Sequence, residues 1–183
     1  VCGTTALSAA AKQGHANMAK LLLESEAQVD STDCSGDTPL IYACCDGYFE
    51  VARLLLEAGA QMDLVTEKGD TPLIRACKRN QVDVVSLLLE AKSDIEKSGP
   101  SMQTPLIAAS CTGYKMLVHL LLEQRADKNA TDAWGESAYL MACRNQHMEV
   151  AELLWGGGPE DTAATPVPNK RHENPCGVDG SLC

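Results

Sequence analysis

Apolar residues fall into two kinds of short run, and the two alternate along the chain. The first kind is small and follows a threonine, as in Leu40, Ile41, Ala43 and Cys44 after Thr38. The second carries three consecutive leucines, at 21–23, 54–56, 87–89 and 120–122, with a last copy at Leu153-Leu154-Trp155. Polar, glycine-bearing stretches separate the runs. The opening Asp37-Thr38-Pro39-Leu40-Ile41 recurs at Asp70-Thr71-Pro72-Leu73-Ile74 and at Gln103-Thr104-Pro105-Leu106-Ile107. The step between the threonines is 71 − 38 = 33 and 104 − 71 = 33. One step back lies Thr5-Ala6-Leu7, and one step on lies Ser137-Ala138-Tyr139. Five units therefore share one register without an insertion.

Each unit predicts a helix, a turn and a second helix. Thr (or Ser137) is a good N-cap, because its hydroxyl accepts a bond from an orphan backbone N–H. Proline at the first helical position loses no bond there. Gly14, Gly47 and Gly113 stop the first helix, and Asn80, which tolerates the left-handed region, replaces them in the third unit. A small turn such as Ala58-Gly59-Ala60 ends the second helix, and a polar stretch closed by Gly36 or Gly69 leads to the next unit. Helices of about nine residues are too short to be stable alone. Their stability must come from stacking on neighbours.

Period, Thr-Pro-Leu triplet, glycine turn and leucine triplet together resemble the ankyrin repeat, whose signature is Thr-Pro-Leu-His-x-Ala over 33 residues. The resemblance covers residues 1–160 or so. One departure is systematic: Ser8, Ile41, Ile74, Ile107 and Leu140 replace the signature His, turning a polar position into a core contact. The resemblance implies an all-α solenoid of stacked helix-turn-helix units with short β-hairpin fingers. The units span 1–33, 34–66, 67–99, 100–130 and 131–159, followed by a tail, 160–183. The first unit is atypical, since it lacks the proline and has no clearly polar outer face, and further repeats are expected to precede it. The finger Ser98-Gly99-Pro100-Ser101-Met102 is expected to be irregular. The tail, rich in Pro, Gly, Asn, Asp and Thr, reads as disordered. Leu153, Leu154 and Trp155 are expected to be partly exposed or covered by that tail.

Composition narrows the function. The net charge of −10 and pI near 4.8 argue against phosphate-backbone or anionic-lipid binding. No apolar stretch approaches the length of a membrane span. Nine cysteines invite a disulfide or zinc reading. Cys44, Cys77 and Cys143 share one register position, and Cys45 and Cys111 share the next. Such positions lie about 8–10 Å apart on packed helices, beyond the ~7 Å between Cα atoms that a disulfide allows. They read as small buried hydrophobes, and without a Cys-x-x-Cys pair a structural zinc site lacks support. Free thiols in this number fit the cytoplasm or nucleus. Cys183 is no prenylation signal, because Gly180 stands where the modified Cys belongs.

Candidate chemistry is sparse. His15, His119, His147 and His172 have no nucleophile or carboxylate partner that the register predicts. Gly156–Gly158 follows a helix instead of opening one, so it is no phosphate loop. Glu24, Glu57, Glu90 and Glu123 recur at one position and read as a solvated face. No catalytic residue, cofactor or metal is expected.

Binding is the better-supported class. In the ankyrin family, finger tips and the exposed side of the first helices form a concave surface where partners dock. By register that surface includes Asp37, Lys68, Asp70, Gln103, Trp134 and Glu136 on the fingers, and Tyr42, Asp46, Arg75, Lys78, Arg79, Arg144 and Asn145 on the helices. Simple solvent exposure is the competing explanation for any one of them. Trp134 stands out, because Trp and Arg are enriched at binding hot spots. Lys68, Arg75, Lys78, Arg79 and Arg144 predict a basic centre in an acidic protein, suited to an acidic or phosphorylated peptide, with Asp46, Asp70 and Glu136 able to neutralise it. The expected function is a non-catalytic, monomeric protein-interaction scaffold. The alternative is a regulatory or substrate-recruiting segment of a larger enzyme, channel or ubiquitin-ligase adaptor. Asn129 resembles the asparagine that oxygen-dependent hydroxylases modify in ankyrin repeats, with Asp30, Asp63 and Glu96 at the equivalent positions.

Overall fold

A hydroxyl cap and, in three cases, a proline set the start of every inner helix. In the computed structural model, which describes residues 3–155, the inner helices are α1 (Ala6–Lys12), α3 (Pro39–Asp46), α5 (Pro72–Lys78), α7 (Pro105–Thr112) and α9 (Ala138–Arg144). Thr5, Thr38, Thr71, Thr104 and Ser137 sit in extended backbone just before them. Each accepts the amide N–H three residues on, at 3.1 to 3.4 Å. Ile41, Ile74 and Ile107, which stand where the signature His would, are buried as core contacts. The outer helices are α2 (Ala16–Glu24), α4 (Phe49–Glu57), α6 (Val82–Glu90), α8 (Lys115–Glu123) and α10 (Met148–Trp155).

The two rows differ in what they pack. Ala10, Ala43, Ala76, Ala109 and Ala142 occupy one register position on the inner helices, and all are buried. The next position holds Ala11, Cys44, Cys77, Ser110 and Cys143. Side chains this small let inner helices approach closely, so α1, α3, α5, α7 and α9 meet more extensively than the outer helices do. The outer row spaces itself with leucines, of which the middle members Leu55, Leu88 and Leu121 are fully buried. A close inner row and a wider outer row curve the stack, with the inner helices on the concave side.

Backbone strain recurs in register. Positions 14, 47, 80, 113 and 146 all have positive φ, filled by Gly14, Gly47, Asn80, Gly113 and Gln146. Gln146 is the least expected, since neither Gly nor Asn eases it. Glycine serves a second purpose here. A Cβ on Gly113 would lie 2.4 Å from His147 Nδ1, and one on Gly47 would lie 2.2 Å from Gln81 Oε1. The side chain just before the outer helix of the next unit thus rests on this turn.

The fingers are loops more than β-ribbons. Those of the second, third and fifth units are closed by a backbone bond across four residues, Asp33 N to Asp37 O, Thr66 N to Asp70 O and Asp132 N to Glu136 O, whereas in the irregular fourth finger Met102 N bonds Gly99 O at 2.8 Å. Among the described residues the one β-pairing is the isolated bridge Thr131–Ser137. Two strands this short cannot sustain a ladder. Neighbouring fingers are tied by Glu67 N to Ser35 O at 3.0 Å and Ala133 N to Ser101 O at 2.9 Å.

The two ends differ. Met18 and Leu21 are exposed, although the counterparts of Met18, namely Val51, Val84, Leu117 and Val150, are buried. At the other end Leu154 is buried, Leu153 is half-buried, and Trp155 lies 5.3 Å from the Tyr139 ring centroid. Among the described residues no helix is long and apolar enough to cross a membrane. The expectations for Gly156–Gly158, His172, Cys183 and the tail 160–183 fall outside the described residues.

Gly113→Ala should destabilise the array more than Gly59→Ala, in urea melts of both variants. Both pay about 1–2 kcal/mol of left-handed strain, but nothing lies within 4 Å of a Cβ on Gly59. Equal midpoints would remove the His147 contact from the account.

Candidate partner-binding groove

The groove is built from two register positions that face one another. The residue before each cap, at 37, 70, 103 and 136, sits at the base of a finger. The residue eight further on, at 45, 78, 111 and 144, sits on the last turn of the inner helix. In the third and fifth units these carry opposite charges, and they pair: Lys78 Nζ lies 2.7 Å from Asp70 Oδ1, and Arg144 bonds Glu136. In the second and fourth units Cys45 and Cys111 replace the cation. Gln103 is neutral there, and Asp37 turns to the next unit instead, where Arg75 Nη2 lies 3.4 Å away. Arg75 Nε is also 3.2 Å from Asp70 Oδ2. Asp37, Arg75, Asp70 and Lys78 thus form one charge relay across two units.

The expected basic centre is therefore not an open field of positive charge. Arg75, Lys78 and Arg144 are each engaged with a carboxylate in a partly buried setting. Burial raises the Asp37 carboxyl above its ordinary range, opposed in part by Arg75. Reversing the charge of Lys78 would break a desolvated pair, a change that destabilises strongly. The sequence reading allowed Asp70 and Glu136 to neutralise these cations, and the structure pairs Arg75 and Lys78 with Asp70 and Arg144 with Glu136.

Tyr42 anchors a second cluster. Its hydroxyl donates to Asp33 Oδ2 at 2.5 Å, and Lys12 Nζ lies 5.0 Å from its ring centroid. Asp33 Oδ1 accepts the amides of Ser35 and Asp37 at 2.9 and 3.0 Å, shaping the finger. Burial opposes ionisation of Asp33, but these donors outweigh it and hold the carboxyl below its usual value. Asp132 repeats the turn in the fifth unit, accepting from Trp134 and Glu136 at 2.9 Å each. Its buried Oδ2 has no partner, because Met141 stands where the second unit has Tyr42.

The thirteen predicted binding residues separate by exposure. Asp46, Lys68, Arg79 and Trp134 are exposed, and Trp134 is 59% accessible. Asp37, Arg75, Lys78, Glu136, Arg144 and Asn145 are half-buried. Tyr42, Asp70 and Gln103 are buried and present little to a partner. Asn145 Nδ2 donates to Met141 O at 3.0 Å. His15 and His147 do structural work: His15 bonds Gln13 at 3.1 Å, and His147 Nε2 lies 3.1 Å from Cys111 O.

The cysteines divide. Cys44, Cys77 and Cys143 are free thiols, and burial pushes those of Cys44 and Cys77 well up. These fit the role of small hydrophobes. Cys34, Cys45 and Cys111 are disulfide-bonded, contrary to the expectation of free thiols. The spacing argument excluded pairing between equivalent positions, not pairing with cysteines elsewhere in the chain.

One set of residues had its role missed. Asp30 Oδ1 accepts the Gln61 amide at 3.0 Å, Asp63 that of Asp94 at 3.3 Å, and Glu96 that of Asp127 at 2.8 Å. An acceptor in register, bonding the amide 31 residues on, staples each of the first three units to the next. The recurrence of Asp30, Asp63 and Glu96 was the available signal. Asn129 shares the position, is exposed, and its own amide donates to Asp127 Oδ1 at 2.9 Å.

A curved two-row stack of short helix pairs, each buried only on its neighbours, is a helical repeat solenoid. Residues 1–66 and 58–132 match the family model of ankyrin repeats (three copies). That match covers more than half of the 183 residues, so the chain belongs to the ankyrin-repeat family. Ankyrin repeats are in general protein–protein interaction modules. No curated protein matches the chain.

Tyr42→Phe should lower stability by about 1–2 kcal/mol at neutral pH, since a buried hydroxyl bonded to a carboxylate is lost. The folded Asp33 pKa lies below the unfolded one. Its contribution is therefore present above the unfolded value and fades as pH falls through the folded one. Thermal melts of both proteins at pH 7 and pH 3 should show the gap narrowing in acid. A gap that widens would contradict the assignment.

Proposed function

We propose that the chain is a non-catalytic module that binds a partner protein or peptide along its finger tips and concave inner row. The carrying observation is Trp134, a large aromatic 59% exposed on a finger whose turn Asp132 holds with two backbone bonds. A rigidly presented Trp offers much contact area at little entropic loss, which is why Trp recurs at hot spots. Cations contribute less than their number implies. Lys68 and Arg79 are exposed at the rim, and carboxylates engage Arg75, Lys78 and Arg144. An acidic or phosphorylated segment would meet chiefly Lys68 and Arg79, and its binding would weaken with salt. We assign the binding units to 1–33, 34–66, 67–99, 100–130 and 131–159, acting as a monomer in the cytoplasm or nucleus.

A second reading makes this stack the recruiting segment of a larger protein. Met18 and Leu21 favour it, being exposed on the first unit's stacking face at 52% and 59%. Capture on residues of the convex or end faces would support that reading.

The test is affinity capture from cell extract followed by mass spectrometry, using the full chain beside Trp134→Ala and a Lys68→Glu, Arg79→Glu double variant. These side chains are exposed, so melting temperatures should match the parent within the range of ordinary surface changes, about 0.5 kcal/mol. A partner lost at least tenfold on Trp134→Ala, and lost less on the double variant, is the expected result. Equal capture by all three proteins would move the site off the groove.

A further inference from the structure

We propose that the edge where the inner helices turn into the outer ones is a second docking surface, which takes a basic amphipathic helix of a partner protein. Two side chains mark it. Met116 on α8 and Met148 on α10 are 72% and 62% accessible, more than any other large apolar side chain among the described residues. Neither is bare merely for want of a neighbouring unit. Helix α8 packs between α6 and α10. Phe49 on α4, in the register of Met148, is exposed as well, at 42%.

Two rows of residues run along this edge. The first position of the outer helices holds Phe49, Val82 and Met148, and the next position holds Glu50, Asp83 and Glu149. One row is apolar and the other acidic. At α8 the two exchange character, with Lys115 in the first row and Met116 in the second. Lys115 Nζ lies 3.1 Å from Glu149 Oε2, so the first turns of α8 and α10 stand side by side with one methionine on each. Exposed apolar groups rimmed by charge mark an interaction surface. Methionine suits such a surface, because its unbranched, polarisable chain adapts to the shape it meets.

Charge selects the partner. Acids outnumber bases on α4, α6 and α10 and match them on α8, whereas on the inner helices Lys12, Arg75, Lys78 and Arg144 outnumber Asp46. The carboxylates that open α4, α6 and α10 each outweigh the positive end of their helix dipole, which amounts to about half a charge. This edge therefore stays negative. Its ion pairs are also open to water. The Lys115 and Glu149 side chains are 56% and 77% exposed, Arg53 and Glu50 pair at the surface, and Asp83 is exposed and enters no ion pair among the described residues. Exposed pairs contribute little, so a partner's lysines or arginines can take over these carboxylates, unlike the half-buried ones of the groove. The same acids repel anionic lipid and nucleic-acid phosphate.

Spacing selects a helix. Packed helices stand about 8–10 Å apart, and seven residues of an α-helix rise about 10.5 Å. A helix laid across the row thus brings one face to each unit, once every seven residues. An extended segment reaches the next unit in about three residues, an odd number, so its successive contacts would fall on opposite faces. Phe49 and Met148 are three units apart, a distance that about 16–20 helical residues cover. The apolar stripe of such a helix meets Phe49, Met116 and Met148, and the cations beside it meet Glu50, Asp83 and Glu149. This surface does not rest on the groove being a binding site.

The probe is a fluorescent peptide of about 20 residues built from Leu, Ala and Lys, with leucines every seven residues and lysines flanking them. A second peptide of the same composition spreads its leucines around the helix. Anisotropy titrations of the full chain should show the ordered peptide bound at least about tenfold more tightly than the spread one. A Met116→Gln, Met148→Gln variant keeps good helix formers at exposed positions, so its melting temperature should match the parent while that preference is lost. An Asp83→Asn, Glu149→Gln variant should bind more weakly, with a flatter dependence on salt. Trp134→Ala should bind as the parent does. No binding of the ordered peptide, equal affinity for the two peptides, or unchanged affinity in either double variant would overturn the proposal. Loss of binding on Trp134→Ala would overturn it too, by placing the peptide in the groove.

Discussion

Close packing of the inner row is the constraint on which the rest of the molecule depends. Alanine stands at 10, 43, 76, 109 and 142, and only small residues occupy the adjacent position. A larger side chain at either would push neighbouring inner helices apart. Among the described residues no helix exceeds nine residues, so none is stable without its neighbours. The same small residues set the curvature, since the leucine-bearing outer row must stand wider. Within each unit the finger base faces the last turn of the inner helix that follows it, so an acid at 70 or 136 reaches a base eight residues on.

The groove that results couples recognition to stability. Its most obvious cations serve the array itself: Arg75 bridges Asp37 and Asp70, and Lys78 and Arg144 close their own fingers. A partner cannot recruit them without leaving a half-buried carboxylate unpaired. Recognition is left chiefly to the exposed groups, among them Trp134 on its finger and Lys68 at the rim. The units that lack a cation at the inner position, the second and fourth, carry Cys45 and Cys111 instead. Electrostatic closure of a finger and covalent chemistry thus alternate at one position along the groove.

Outside the groove, the units are joined by backbone bonds to side chains in the turns. Asp30, Asp63 and Glu96 each reach the amide of the following unit, and the side chain at 81 or 147 rests on a glycine of the unit before. These contacts repeat at the same spacing as the core, so local geometry and global stacking agree at every step, the condition for a single folded state.

The 33-residue step, the caps at Thr5, Thr38, Thr71, Thr104 and Ser137, the helix pairs and the buried alanines were all legible in the sequence. Each depends on periodicity or on chemistry within a few residues, and a linear reading captures both. The left-handed turn at Gln146 escaped, because its conformation is imposed by the register and not by its own preference. Tertiary structure decided the rest. It alone showed that Lys78 belongs to Asp70, that Asp37 reaches Arg75 in the next unit, and that Asp132 lacks the hydroxyl that Tyr42 gives Asp33. It also separated Cys45 and Cys111, which are disulfide-bonded, from Cys44 and Cys77, which are free thiols one position earlier in the register. The physical reason is common to all of these. A charge, a hydroxyl or a thiol acts over a few ångströms in space, and which groups come that close is set by how the finger folds onto its own inner helix and by how one unit stacks on the next.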